Sequence, residues 1–161
     1  MFPPDEGRSG SPASATYHPA MATKNERIEH LRNVPLFSGC STKDLQKIAK
    51  ASDEVAVGAG HIICDQGQVG REAFVIMSGS ATVRRNGKKV TVLGAGSVVG
   101  ELSLLDRGPR TATVTADGDV ELLVIDQRHF AAVIDEVPAV AHKILASLAE
   151  RIREFDRSLY G

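Results

Sequence analysis

Two residues of opposite charge stand nine positions apart in the stretch GELSLLDRGPRTAT, Gly100 to Thr113. Glu101 is a carboxylate and Arg110 a guanidinium, with an apolar Leu-Ser-Leu-Leu run and a Gly-Pro break between them. Gly100 opens a short predicted helical turn. Lacking a Cβ, it lets the backbone approach a ligand closely. The first N–H groups of such a turn have no helical partner and carry a partial positive charge, which suits a phosphate. Arg110 adds a full charge and a planar fork that grips two phosphate oxygens. Pro109 stiffens the approach, and the Thr111 hydroxyl can donate or accept. Glu101 would repel a phosphate and needs a donor instead. A ribose 2′-hydroxyl is the natural one, as where dinucleotide folds read the sugar. One phosphate and one ribose held this close together describe a cyclic mononucleotide. The competing reading of the same residues is a plain Glu101–Arg110 ion pair on a loop.

Elements on both sides must position this stretch. Residues 1–22 are rich in Pro, Gly, Ser and Ala with almost no aliphatic content, and a disordered N-terminal tail is expected there. A single domain is expected over residues 23–161. Helical spacing predicts helices within 24–50: Lys24 to Asn33, with Ile28 and Leu31 on one face, and a second opened by Ser41 or Thr42 and carrying Leu45, Ile48 and Ala49. Residues 54–125 change character. Short β-branched runs at 54–57, 61–64, 72–77, 80–85, 89–93, 111–116 and 119–125 are punctuated by glycines, the rhythm of strands and turns. Asn86-Gly87 is the strongest hairpin indication. Such a series suggests an antiparallel barrel or sandwich. Helices return over 127–159, first Gln127 to Asp135, then one opened by Pro138 with a stripe of Val140, Ile144, Leu148, Ile152 and Phe155. The alternating charges after Glu150 read as a solvated face, with Glu150–Arg153 and Glu154–Arg157 as i,i+3 pairs.

Composition narrows the function classes. The chain has 161 residues and a net charge of −1, and without the charges of 1–22 its 18 basic and 18 acidic residues balance. There is no basic field for nucleic acid. Two cysteines, Cys40 and Cys64, are too few for a disulfide framework and are read as free thiols of a reducing compartment. No apolar run reaches a membrane span, so no membrane partner and a cytoplasmic location are expected. His61, His129 and His142 have no metal spacing, and no nucleophile–base set supports catalysis.

The stretch Gly100, Glu101, Leu102, Ser103, Leu104, Leu105, then Pro109, Arg110, Thr111, Ala112 and Thr113, resembles the phosphate-binding cassette of the cyclic nucleotide-binding domain family. Upstream, Gln66-Gly67, Gly70, Phe74-Val75-Ile76, Ser78-Gly79 and Val83 resemble that family's glycine-punctuated strand region, and residues 24–157 follow its order. The resemblance implies an α+β, mainly β fold: an antiparallel β-roll or jelly-roll barrel flanked by N-terminal and C-terminal helices. It implies a regulatory, non-enzymatic module without a prosthetic group, whose ligand is cAMP and whose last helix moves as a lid. In that reading Glu101 takes the ribose and Arg110 the phosphate. Gly100, Leu102 and Ser103 present backbone groups, and Val83 and Leu93 form apolar wall. Thr111 stands where cAMP readers often carry Ala or Ser and where cGMP readers frequently carry Thr, so cGMP is the alternative ligand. Val99 replaces a common aromatic, and Ser103 a common Ala. Leu148, Ile152 or Arg153 are candidates to cap the base. A structural or dimerisation domain of the same fold that binds no nucleotide is the other alternative, with Ile144, Leu148, Ile152 and Phe155 as the homodimer seam. The resemblance leaves the effector protein unknown.

Overall fold

The computed structural model describes residues 23–160; the expected N-terminal tail, 1–22, lies outside the described residues. Helix α1 (Lys24–Arg32) starts where the Thr23 hydroxyl accepts from the Glu26 N–H at 3.2 Å. A 3-10 turn, Pro35–Phe37, leads to α2 (Thr42–Lys50). Ser41 and Asp44 close a reciprocal capping box at the start of α2, each accepting the other's backbone N–H at 3.1 Å. The two helices and the turn between them bury Leu31, Val34, Phe37, Leu45 and Ile48.

Among the described residues, eight strands form two four-stranded sheets, antiparallel throughout. One runs β1 (Asp53–Val57), β8 (Val120–Asp126), β3 (Glu72–Ser78), β6 (Val98–Val99). The other runs β2 (Ile62–Cys64), β7 (Thr113–Ala116), β4 (Ala81–Arg85), β5 (Lys88–Leu93). The period of two along β3 and β8 sends alternate side chains to two separate cores. Ala73, Val75, Leu123 and Ile125 pack with the helices, whereas Ile76, Val120 and Leu122 pack with Val57, Val99 and Val114 between the sheets. The result is the β-roll with flanking helices.

Differences from the predicted strands have local causes. The strand placed at 111–116 begins at Thr113, because Arg110 is held in a loop by its N–H bond to the Gln68 carbonyl at 2.8 Å. Strand β6 was not predicted; two valines opposite Phe74 and Val75 are too short to show a period. Asn86 and Gly87 take φ 54° and 79°, the two positive values of a type I′ hairpin turn between β4 and β5.

After β8, α4 (Gln127–Glu136) is capped by Asp126, whose carboxylate accepts the His129 N–H at 2.8 Å. This bond, followed by one from the His129 side chain, holds the Asp126 carboxyl below its ordinary value of 3.8. Helix α5 (Pro138–Tyr160) is buried at Val140 and Ile144, half-buried at Leu148, and then leaves the body. Ile152 and Phe155, the far end of the predicted stripe, are 68% and 66% exposed. Among the described residues the Glu150–Arg153 and Glu154–Arg157 pairs do not form; the Arg157 Nε–H instead reaches the Arg153 carbonyl. No described helix is long and apolar enough to cross a membrane.

Candidate functional site

The loop between β6 and β7 carries α3 (Glu101–Asp106), the short turn predicted after Gly100. Gly100 has φ 82°, a conformation that other residues adopt at a cost, and it sits directly against Arg110. A Cβ on Gly100 would collide with the Arg110 Nη1, and a Cβ on Gly70 would collide with the same guanidinium. Arg110 therefore lies in a slot that two glycines leave open.

Arg110 is buried, at 8% exposure. Its Nη1–H donates to the Gly100 carbonyl at 2.9 Å and its Nη2–H to the Glu72 carbonyl at 2.6 Å. The Phe74 ring lies beside it, 5.8 Å from guanidinium carbon to ring centroid. Among the described residues no carboxylate comes within ion-pair distance of Arg110. A buried charge that is only hydrogen-bonded to neutral carbonyls is costly unless an anion joins it. Cys64 lies beside this cation and lines the same cavity; burial pushes its thiol up to about 11, against the opposing pull of Arg110.

Glu101 and Arg110 do not hold each other. The Glu101 carboxylate, 15% exposed, accepts at 2.9 Å from Arg151 Nη2 of α5, fifty positions away in sequence. Helix α5 is thus tied to the acid by one ion pair, its Arg half exposed at 49%.

These residues surround an open cavity of about 720 Å³, within the roughly 300–1,000 Å³ usual for small-molecule sites. Val83, Leu93, Gly100, Glu101, Ser103, Arg110 and Thr111 all line it. Leu102 is the second residue of α3; its side chain lies outside the described residues. Of the α5 residues suggested for the base, Leu148, Ile152 and Arg153 do not line this cavity, and Arg151 does. Sequence reasoning missed Arg151 because it stands in a run of alternating charges that looks like any solvated face. It also missed Arg85, Val90 and Thr91, which line the hairpin wall. Their strand period was available but points to a face, not to a ligand.

The hairpin carrying that wall is fixed from outside. The Gln66 side chain both accepts the Asn86 N–H and donates to the Asn86 side-chain oxygen, each at 2.9 Å. The Gln66 N–H in turn donates to the Thr113 hydroxyl at 3.0 Å. Residues of the upstream motif thereby lock the β4–β5 tip to the start of β7, beside Thr111.

Comparison with known proteins bears on this geometry. Residues 54–137 match the family described as Cyclic nucleotide-binding domain. The Cyclic AMP receptor protein of Thermus thermophilus is 32% identical over 134 residues, covering 80% of this chain and 62% of that protein. A cyclic nucleotide-gated potassium channel of Rhizobium etli is 36% identical over 118 residues, 73% of this chain and 33% of the channel. The crystal structure of the Thermus thermophilus Catabolite Activator Protein superposes with a TM-score of 0.73 at 34% identity, covering 78% of this chain and 61% of that one. The chain thus spans less than two-thirds of the length of each of these relatives. With the family match extending over more than half of its residues, and an acid, a buried arginine and Gly100 gathered at one cavity, the chain belongs to the cyclic nucleotide-binding domain family.

Proposed function

We propose that this domain binds cAMP in the cavity between the β4–β5 hairpin, α3 and α5, and that the ligand releases α5. The observation that carries the reading is the buried Arg110 guanidinium, which has no carboxylate partner among the described residues. A cyclic phosphate supplies the missing negative charge there and meets the free N–H groups at the start of α3. The ribose hydroxyl donates to Glu101. It draws on the same carboxylate that Arg151 holds, so ligand binding and the α5 contact are coupled. Val83 and Leu93 offer apolar surface to the sugar and base. The name of the Thermus relative, a cyclic AMP receptor, supports adenine as the base.

The proposed role is regulation, in the cytoplasm; among the described residues the cavity is lined by the proposed phosphate clamp and sugar acceptor rather than by a nucleophile paired with a base. The moving part is α5, whose outer half is solvent-exposed and available to an effector or to a second copy of the chain. Thermal denaturation with cAMP tests the reading. Binding at a hundredfold over Kd stabilises by about 2.7 kcal/mol, a rise in Tm of about 5–10 °C for a domain of this size. An unchanged Tm at millimolar cAMP sinks the assignment and favours the domain that binds no nucleotide.

A further inference from the structure

A second arginine reaches the cavity from the hairpin. Arg85 ends β4, two residues after Val83 on the same strand face, and both line the cavity. A register shift after Val83, where β5 passes from Thr91 to Lys89 across the pair, accompanies this placement. The Arg85 Nε–H donates to the Thr111 carbonyl at 3.2 Å. That bond sets the plane of the guanidinium and leaves both Nη groups without a hydrogen-bond or ion-pair partner among the described residues. Arg85 is exposed, unlike Arg110, and Val83, Val90, Thr91 and Leu93 stand with it as a largely apolar wall suited to a flat ring.

We infer that Arg85 reads the edge of the base and raises affinity for a 6-oxopurine ring relative to adenine. The inference rests on the cyclic nucleotide reading above and adds a residue to it. An arginine fork donates only, so it needs acceptors. Guanine and hypoxanthine present N7 and O6 side by side, two acceptors, whereas adenine pairs N7 with the N6 amino donor. The free Nη edge of Arg85 therefore matches a 6-oxopurine and faces an unfavourable amino group on adenine. Thr111 cannot supply this preference, because a hydroxyl both donates and accepts. Arg85 works as a tuning residue, narrowing the preference for cAMP that the rest of the site sets.

The test is calorimetric titration of the full chain, Arg85→Ala and Arg85→Lys with cAMP, cGMP and cIMP. cIMP carries the 6-oxo group without the 2-amino group, so it separates Arg85 from any contact Thr111 makes at position 2. Expected in Arg85→Ala is a shift of the cIMP-to-cAMP and cGMP-to-cAMP affinity ratios of about tenfold toward cAMP, the scale of one bidentate base contact. Arg85→Lys keeps the charge without the planar fork and is expected to leave the ratios shifted. Equal losses for all three nucleotides in Arg85→Ala, which mark a general anion attraction, overturn the inference, and so do unchanged ratios or full restoration by Lys. If the unsubstituted chain binds none of the three, the nucleotide reading itself fails, a result distinct from binding with unmoved ratios.

Discussion

Arg110 and Glu101 show how one local charge pair is divided between two jobs. Arg110 is placed by carbonyls and by the absence of side chains at Gly70 and Gly100, so its charge is unanswered among the described residues. Glu101 is answered, but by a half-exposed arginine on another element. An ion pair of that exposure contributes about 0–1 kcal/mol, little enough for a ligand to displace. Arg151→Ala is accordingly expected to raise cAMP affinity by up to about fivefold, since the acid is freed without loss of a ligand contact. A competitive binding assay reads this, and a fall in affinity would mean that Arg151 holds the ligand rather than the empty site. That Glu101 and Arg110 would share one site was legible in the sequence because their spacing is short and their chemistry opposed. Arg151 and Arg85 were not legible, since their positions in the site depend on a helix returning from fifty residues away and on a shifted hairpin register.

Elements set how firmly the site is held. The slot for the Arg110 guanidinium exists because the loop before β3 and the β6–α3 turn both approach it with glycine, at Gly70 and Gly100. Gly70→Ala places a methyl group where the guanidinium lies, a misfit of about 1–3 kcal/mol that falls on the arginine's position. The expected result is weakened cAMP binding with the far-ultraviolet dichroism of the β-roll retained. Unchanged affinity would show that Arg110 adopts a second productive position. At this scale, long periodic segments were readable in advance: α2 is fixed by its capping box and Leu45, Ile48, Ala49 face, and the β4–β5 hairpin by Asn86-Gly87. The two-residue β6 was not readable, as its existence depends on pairing with β3 and leaves no pattern of its own.

The whole molecule divides into a closed body and a projecting arm. Helices α1, α2, α4 and the first half of α5 share one core with the outer face of a sheet, while the second half of α5 leaves it. Along the exposed side of α5, Leu145, Ile152 and Leu159 recur every seven residues, at 63%, 68% and 59% exposure, with Phe155 and the half-buried Leu148 between them. This 3-4 alternation has the spacing of a coiled-coil seam. It differs from the seam read from sequence at its start, because Ile144 is used by the core and Leu145 takes its place. We propose pairing of two copies along this seam. Sedimentation should show a concentration-dependent dimer that Ile152→Glu abolishes without unfolding the body. A monomer at all concentrations would assign the arm to a different partner.

The most direct test is calorimetric titration of cAMP into the chain, Arg110→Ala and Thr111→Ala. Saturable binding is expected in the unsubstituted chain. Losing the charge-assisted phosphate contact costs about 1.5–3 kcal/mol, so Arg110→Ala should bind at least about tenfold more weakly. Thr111→Ala removes no charge and should lose clearly less. No heat with the unsubstituted chain, or equal affinities in all three proteins, would contradict the assignment of Arg110 as the clamp of a cyclic phosphate.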